Sequence, residues 1–215
     1  MAIIHSNGLI TGTVGNKVFY VLKGKQVIRT KRREPSKPTT RQQASNEKLK
    51  VISKFLCMLK EAMRQGWADP EDSSAYYNSA LSYNYKNAVT EIPGKEGERP
   101  DFKINLPEVL LSKGRIEHPE INKIERKDNN LYLEWDTTLG SKTNRPNDSL
   151  TVCIWNETGP AIVHYGMGFR QTGKAVIKLE GEPDSLHVWA YFHNITRFGN
   201  DNEARVSKSV YLGKW

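Results

Sequence analysis

The sequence predicts an α+β protein in which an N-terminal β-hairpin and two helices precede a seven-stranded antiparallel β-sandwich. Three observations lead to this prediction. Two β-rich segments flank a glycine near residue 24, apolar residues recur with helical spacing from residue 49 to residue 63, and the apolar period changes to two after residue 119. The predicted organisation is therefore a basic module over residues 1–100, a linker with short strands over 101–118, and the sandwich over 119–215.

The hairpin is predicted from Val18–Leu22 and Gln26–Thr30, which are rich in β-branched and aromatic residues and are joined through Gly24. The basic run Lys31-Arg32-Arg33 then leads into a connector whose prolines exclude a helix. The glycines before the hairpin do not form a phosphate-binding loop, because such a loop carries Gly-Lys-Ser/Thr at the start of a helix.

A long helix is predicted next. Thr39 and Thr40 each have a glutamine three residues later, which is the spacing of a capping box, and Gly66 ends the helix. Its apolar arc is wider than a coiled-coil seam, so we expect it to be buried against the hairpin, a second helix or another subunit. The candidate packing or assembly residues on this arc are Leu49, Ile52, Phe55, Leu56, Leu59 and Met63.

A second helix is predicted from Ser73 or Ser74 to about Val89. Its tyrosines are interpreted as amphipathic core or interface residues, although aromatic residues among cations can also stack on single-stranded bases. A Pro- and Gly-rich loop over residues 93–100 follows, and short strands are predicted at 102–106 and 108–111.

The sandwich is predicted from seven short segments that alternate in polarity and are separated by turns rich in Asn, Asp, Gly and Pro. They lie at residues 121–124, 131–135, 150–155, 161–165, 175–179, 186–192 and 206–212. This spacing, with Trp135 on the second strand, favours a two-sheet sandwich of the fibronectin type III or immunoglobulin kind. The same strand count also allows a barrel.

Positive charge is concentrated near the N-terminus. Residues 1–65 carry 14 basic and three acidic side chains, a net charge of +11, whereas residues 66–215 carry a net charge of −3. The asymmetry indicates either an anionic partner, such as nucleic acid or another polyanion, or a solvated face that keeps the protein soluble. The candidate contacts with an anionic partner are Lys17, Lys23, Lys25, Arg29, Lys31, Arg32, Arg33, Lys37 and Arg41.

The sequence contains no signature of an enzyme or of a cofactor site. It has neither the Gly-x-Ser-x-Gly nucleophile elbow nor a His-Glu-x-x-His pair, and its two cysteines and five histidines lack the spacing of metal ligands. We therefore expect no catalytic residues, no metal, no cofactor and no small-molecule substrate. Cys57 and Cys153 are interpreted as buried thiols.

No membrane span and no secretory signal are visible in the sequence. This predicts a cytoplasmic protein, and incorporation into a virion or an extracellular assembly stays open.

Several blocks of sequence are similar to an uncharacterised domain-of-unknown-function family found in Bacteroidota. They are Gly15–Val18 with Lys23–Arg29, Thr39–Gln43, Ala80–Ala88 and Ser207–Gly213. The resemblance extends over nearly the whole chain and implies a bacterial origin and a similar two-part organisation. It implies no activity, because the family has no established catalytic or binding residues to transfer.

Two non-enzymatic functions remain. In the favoured one, the protein is a structural, assembly or interaction component of a homo-oligomer or another protein assembly. Its N-terminal module contacts other subunits or partners, and its sandwich is displayed or used for docking. In the alternative, the basic module binds nucleic acid through its phosphates.

Overall fold

The computed structural model describes residues 2–22, 24–32, 37–67, 75–94, 99–179, 185–194 and 205–215. It confirms the α+β class. The chain divides into two compact units, Met1–Gln43 and Ala44–Trp215. This division differs from the sequence-based boundaries at residues 100 and 118, because the helices share a buried apolar cluster with a β-sheet of the second unit.

In the first unit, the predicted hairpin is one half of a four-stranded antiparallel sheet. The strands lie in chain order: β1 (Ala2–Ile4), β2 (Ile10–Val14), β3 (Lys17–Leu22) and β4 (Lys25–Thr30). β3 and β4 pair over six positions, and Gly24 between them has a φ of 73°, which favours glycine. The first two strands were not predicted, because β1 is only three residues long and Thr-Gly-Thr interrupts the apolar pattern of β2.

The long predicted helix is divided into α1 (Thr40–Met58) and α2 (Lys60–Gly66). The predicted capping box is present, since the Thr39 hydroxyl accepts a hydrogen bond from the Gln42 N–H and the Gln42 side-chain oxygen accepts one from the Thr39 N–H. The next helix, α3 (Tyr76–Asn87), ends before the predicted limit because Val89 begins a strand.

The strands of the second unit form three antiparallel sheets. β5 (Val89–Ile92) pairs with β6 (Asp101–Ile104), whereas the predicted strand at 108–111 is replaced by a 3₁₀ turn at Leu106–Glu108 and an unpaired segment. The remaining strands are β7 (Ile121–Lys127), β8 (Asn130–Trp135), β9 (Ser149–Trp155), β10 (Ile162–His164), β11 (Lys174–Lys178), β12 (His187–Asn194), β13 (Arg205–Val206) and β14 (Val210–Lys214). One sheet has the order β11-β8-β7, and the other has the order β10-β9-β12, with β13 and β14 both paired to β12.

The sheet containing β9 and β12 is buried on both faces. On one face, Val152 and Phe192 share a buried cluster with Leu133 of the three-stranded sheet. On the other face, Trp155 and Trp189 belong to the cluster that contains the apolar arc of the helices. All eight residues of β12 are buried, so this strand is the centre of the unit.

Buried polar side chains fasten the segment 109–112 to its neighbours. The amide of Asn84 on α3 donates to the Leu110 carbonyl (2.9 Å) and its oxygen accepts from the Leu110 N–H (2.8 Å). The Ser209 hydroxyl accepts from the N–H groups of Leu111 (2.8 Å) and Ser112 (3.3 Å). Both side chains satisfy backbone groups of a segment that belongs to no sheet.

We expect Asn84→Ala to lower the free energy of unfolding of the second unit by about 2–4 kcal/mol, because it leaves two buried backbone groups of Leu110 without partners. Urea unfolding followed by tryptophan fluorescence measures this change, since all five tryptophans lie in the second unit. Asn87→Ala is the matched control on the same helix, because the Asn87 amide is exposed and donates only to the Tyr83 carbonyl. If the two substitutions lowered the free energy of unfolding equally, this would contradict the account.

Candidate interaction surface

The register of the N-terminal sheet divides its side chains between two faces. Residues paired directly across antiparallel strands point to the same side, and residues alternate along each strand. The pairs Ala2–Gly12, Gly12–Phe19 and Phe19–Ile28 therefore place these four residues in one row across all four strands. We call the side that carries this row the apolar face.

The apolar face carries seven apolar side chains, with one charged residue, Lys17, at one end. Its members are Ala2, Ile4, Ile10, Gly12, Val14, Lys17, Phe19, Val21, Gln26, Ile28 and Thr30. The opposite side, which we call the mixed face, intersperses apolar residues with two threonines and two cations. Its members are Ile3, Thr11, Thr13, Val18, Tyr20, Leu22, Lys25, Val27 and Arg29.

No described residue of the first unit is buried. On the apolar face, Ile4 is 74% exposed, Val14 56% and Ile28 55%. A sheet normally buries at least one face against another layer, because a face this apolar is costly to leave in water. Among the described residues of its own unit, no second layer covers the N-terminal sheet, and neither the helical stripe nor the charge pattern pointed to this.

The predicted anionic-partner contacts do not form one cluster on a face. Lys25 and Arg29 lie on the mixed face and flank the row of Tyr20 and Val27, whereas Lys17 lies on the apolar face. Lys31 and Arg32 follow β4, and Lys37 and Arg41 precede or begin α1. Lys23 and Arg33 lie outside the described residues.

The predicted packing residues of the helical arc lie inside the second unit. Ile52, Leu56, Leu59 and Met63 are fully buried, and Phe55 packs edge-on against Trp155 with ring centroids 5.1 Å apart. Leu49 is 42% exposed. The arc is thus covered by α3 and by the sheet that contains β9 and β12, both in the same unit. The tyrosines Tyr76, Tyr77 and Tyr85 also pack against this cluster.

One polar cluster in the second unit has the composition of an acid–base site. The Glu157 carboxylate accepts hydrogen bonds from His187 Nε2 (2.8 Å) and Lys214 Nζ (3.1 Å). With Nε2 as the donor, His187 Nδ1 accepts from the Tyr211 hydroxyl (2.7 Å). Glu157 has a φ of 67°, an uncommon conformation for a residue with a side chain.

The electrostatics of this cluster favour a structural role. The hydrogen bond from His187, followed by the contact with Lys214, lowers the pKa of Glu157. Burial, followed by the charge of Glu157, raises the pKa of Tyr211, which opposes formation of a phenolate. The His187 ring is stacked between Trp155 and Tyr211. The cluster joins β12 to β14 and to the turn after β9.

The two cysteines differ in their exposure. Cys57 is exposed, contrary to the prediction, while Cys153 is buried, and burial raises the pKa of its thiol. Within the described residues, no group of three or more His, Cys, Asp and Glu side chains is placed to hold a metal ion. No helix in that part of the chain is long and apolar enough to cross a membrane.

Comparison with known proteins finds a family over almost the whole chain. A family of unknown function (DUF6266) matches residues 9–213. No curated protein and no solved structure matches the chain. The family match spans both units, including the N-terminal sheet from residue 9 onward.

Proposed function

The chain belongs to this family of unknown function, DUF6266, and on that premise we propose that it is a non-enzymatic assembly or interaction protein whose N-terminal sheet contacts another protein subunit through the apolar face. The observation that carries the proposal is the exposure of this face in a unit without a buried residue among those described. Burying one Val, Ile or Phe side chain contributes about 1.5–3 kcal/mol. A subunit that covers several of them would therefore stabilise the sheet as it binds.

We further propose that the two larger sheets of the second unit form a sandwich of the fibronectin type III or immunoglobulin kind. In support, the seven predicted strands, numbered along the chain, have the orders five-two-one and four-three-six-seven, and side chains from both sheets share one buried cluster. One face of the second sheet is covered by helices. Display or docking would therefore use the three-stranded sheet and the loops.

Nucleic-acid binding is the second candidate, and the specific observation in its favour is the pair of cations, Lys25 and Arg29, on the mixed face. The first 33 residues contain no Asp or Glu, and Tyr20 lies between the rows of Lys25 and Arg29. A phosphate-contacting surface of this kind predicts an affinity for random-sequence DNA that falls by roughly 0.9 log units per neutralised phosphate for each tenfold rise in salt. Lys25→Gln with Arg29→Gln should weaken such binding for all sequences alike.

The assembly proposal is tested with Ile28→Asp and Val27→Asp. The two residues are neighbours on β4 and point to opposite faces. Both are β-branched and both are replaced by Asp, so the two variants change charge and strand propensity equally. Light scattering gives the mass, and fluorescence of the neutral dye Nile red reports exposed apolar surface without attraction to the cations. We expect the wild-type chain to self-associate or to bind the dye as a monomer.

We expect Ile28→Asp to lower the associated fraction, or the dye signal of the monomer, at least fivefold, and Val27→Asp to lower it less than twofold. The reason is that only the first substitution places a charge in the central row of the apolar face. If both variants match the wild type in mass and dye binding, the apolar face is not an interaction surface.

A further inference from the structure

We propose that the subunit covering the apolar face is a second copy of this chain, related by a two-fold axis that runs parallel to the strands between β2 and β3. This inference rests on the proposed function and deepens it by naming the partner and its orientation. Face-to-face packing of two sheets with nearly aligned strands is a common way for sheets to bury an apolar face. In a two-fold dimer, the same surface serves both copies.

The apolar face is complementary to itself under this operation. In the central row, the small residues Ala2 and Gly12 lie on β1 and β2, and the large residues Phe19 and Ile28 lie on β3 and β4. The proposed axis places β3 of one copy over β2 of the other and β4 over β1. Phe19 then lies over Gly12 of the second copy, where no side chain occupies the space, and Ile28 lies over Ala2.

The neighbouring rows agree with this arrangement. On one side of the central row, Ile10 of one copy faces the apolar Val21 of the other, and Ile4 faces Gln26. The Gln26 amide is already hydrogen-bonded to the backbone N–H and carbonyl of Ile10 in its own sheet. On the other side, Val14 faces Lys17, which is paired with Val14 in its own sheet. The aliphatic stem of Lys17 can pack on Val14 while its ammonium group reaches the solvent at the rim. No pair of charges is forced into contact at the centre.

The size of the face sets the expected affinity. Four strands about 4.8 Å apart and five residues of about 3.3 Å each give a footprint of roughly 19 by 17 Å. With the relief of the side chains, two copies would bury on the order of 1,000 Å² in total, which is the lower limit for a specific interface. We therefore expect a reversible dimer that forms at micromolar or higher concentration.

Cross-linking between engineered cysteines tests the orientation. The background carries Cys57→Ser, because the exposed Cys57 thiol would react, and the buried Cys153 is kept. Chains with Ala2→Cys and chains with Ile28→Cys carry different tags and are mixed at 100 µM. A bismaleimide that spans about 8 Å links facing residues, whereas the two copies of residue 28 are separated by about three strand spacings, roughly 14 Å, along the sheet.

We expect cross-links between Ala2→Cys and Ile28→Cys chains at least fivefold more often than links within either variant, and loss of these links on dilution to 1 µM. Equal yields of all links would overturn the two-fold arrangement. A wild-type chain that stays monomeric at 100 µM and binds Nile red would overturn the second copy as partner, and would leave the proposed function intact. A monomer that binds no dye would overturn both.

Discussion

Asp148→Ala is expected to lower the free energy of unfolding of the second unit by about 3–5 kcal/mol. The side chain of Asp148 is fully buried, and its Oδ2 accepts a hydrogen bond from Nε of Arg170, whose side chain is only 3% exposed (3.1 Å). The same carboxylate accepts from the Arg145 N–H and from the Asn194 amide. Removing the Asp148 carboxylate leaves the buried Arg170 guanidinium without its counter-charge. This lowers the free energy of unfolding more than removing both charges together would.

The double substitution Asp148→Ala with Arg170→Met separates these effects. It removes both charges, so we expect it to recover at least half of the loss caused by Asp148→Ala alone. Asp136→Ala is the control for a carboxylate in an exposed turn, where Asp136 accepts hydrogen bonds from Thr138, and its urea midpoint should stay near that of the wild type. If Asp148→Ala unfolds at the wild-type midpoint, the buried ion pair does not stabilise this unit.

The second large effect is expected from Leu56→Ala, which should destabilise the second unit by about 2–5 kcal/mol. Leu56 is fully buried in the cluster between the helices and the central sheet. Truncation removes apolar contacts and leaves a cavity in a layer that α3 and the sheet hold in place. Tryptophan fluorescence during urea unfolding measures the loss.

Leu49→Ala is the matched control, since Leu49 lies on the same helix and is 42% exposed. Leu49→Ala should lower the free energy of unfolding by less than about 1 kcal/mol. Neither variant should change the mass that light scattering gives for the wild-type protein, because the helical arc is covered within its own unit. A Leu49→Ala variant that abolished association at unchanged stability would show that the exposed end of the arc is an interface after all.

The sequence predicted the strands of the second unit well, because their alternation is a strictly local signal. Strands β7 to β12 lie within three residues of the predicted segments, and the capping box at Thr39 starts α1 as expected. The seventh predicted strand is divided into β13 and β14, since residues 207–209 leave the ladder and Ser209 binds the segment 109–112.

Sequence reasoning left the partner of the helical arc open, because a periodic stripe does not specify what covers it. The signal that could have decided it is β12. Continuous burial along His187–Asn194, visible as the run Val-Trp-Ala-Tyr-Phe, indicates a strand covered on both faces. A strand of this kind needs a covering layer on each face. The three-stranded sheet covers one face, and the helices are the elements left to cover the other.

The apolar face could not be predicted from the sequence, because it arises from pairing between four short strands. Ile4, Ile10 and Phe19 are far apart in any local pattern and come together only through the register of the sheet. The basic residues of the same segment drew attention to charge. The structure places Lys25 and Arg29 on the face opposite to Phe19 and Ile28, whereas Lys17 lies at one end of the apolar face.

The salt dependence of self-association tests the central claim most directly. The first unit has no acidic residue before Glu34, so two copies repel each other at low salt, while burial of the apolar face is not weakened by screening. Sedimentation equilibrium of nuclease-treated protein at 50 and 500 mM NaCl measures the association constant. The account predicts a constant that is equal or higher at 500 mM, and a constant that falls tenfold or more at 500 mM would contradict it.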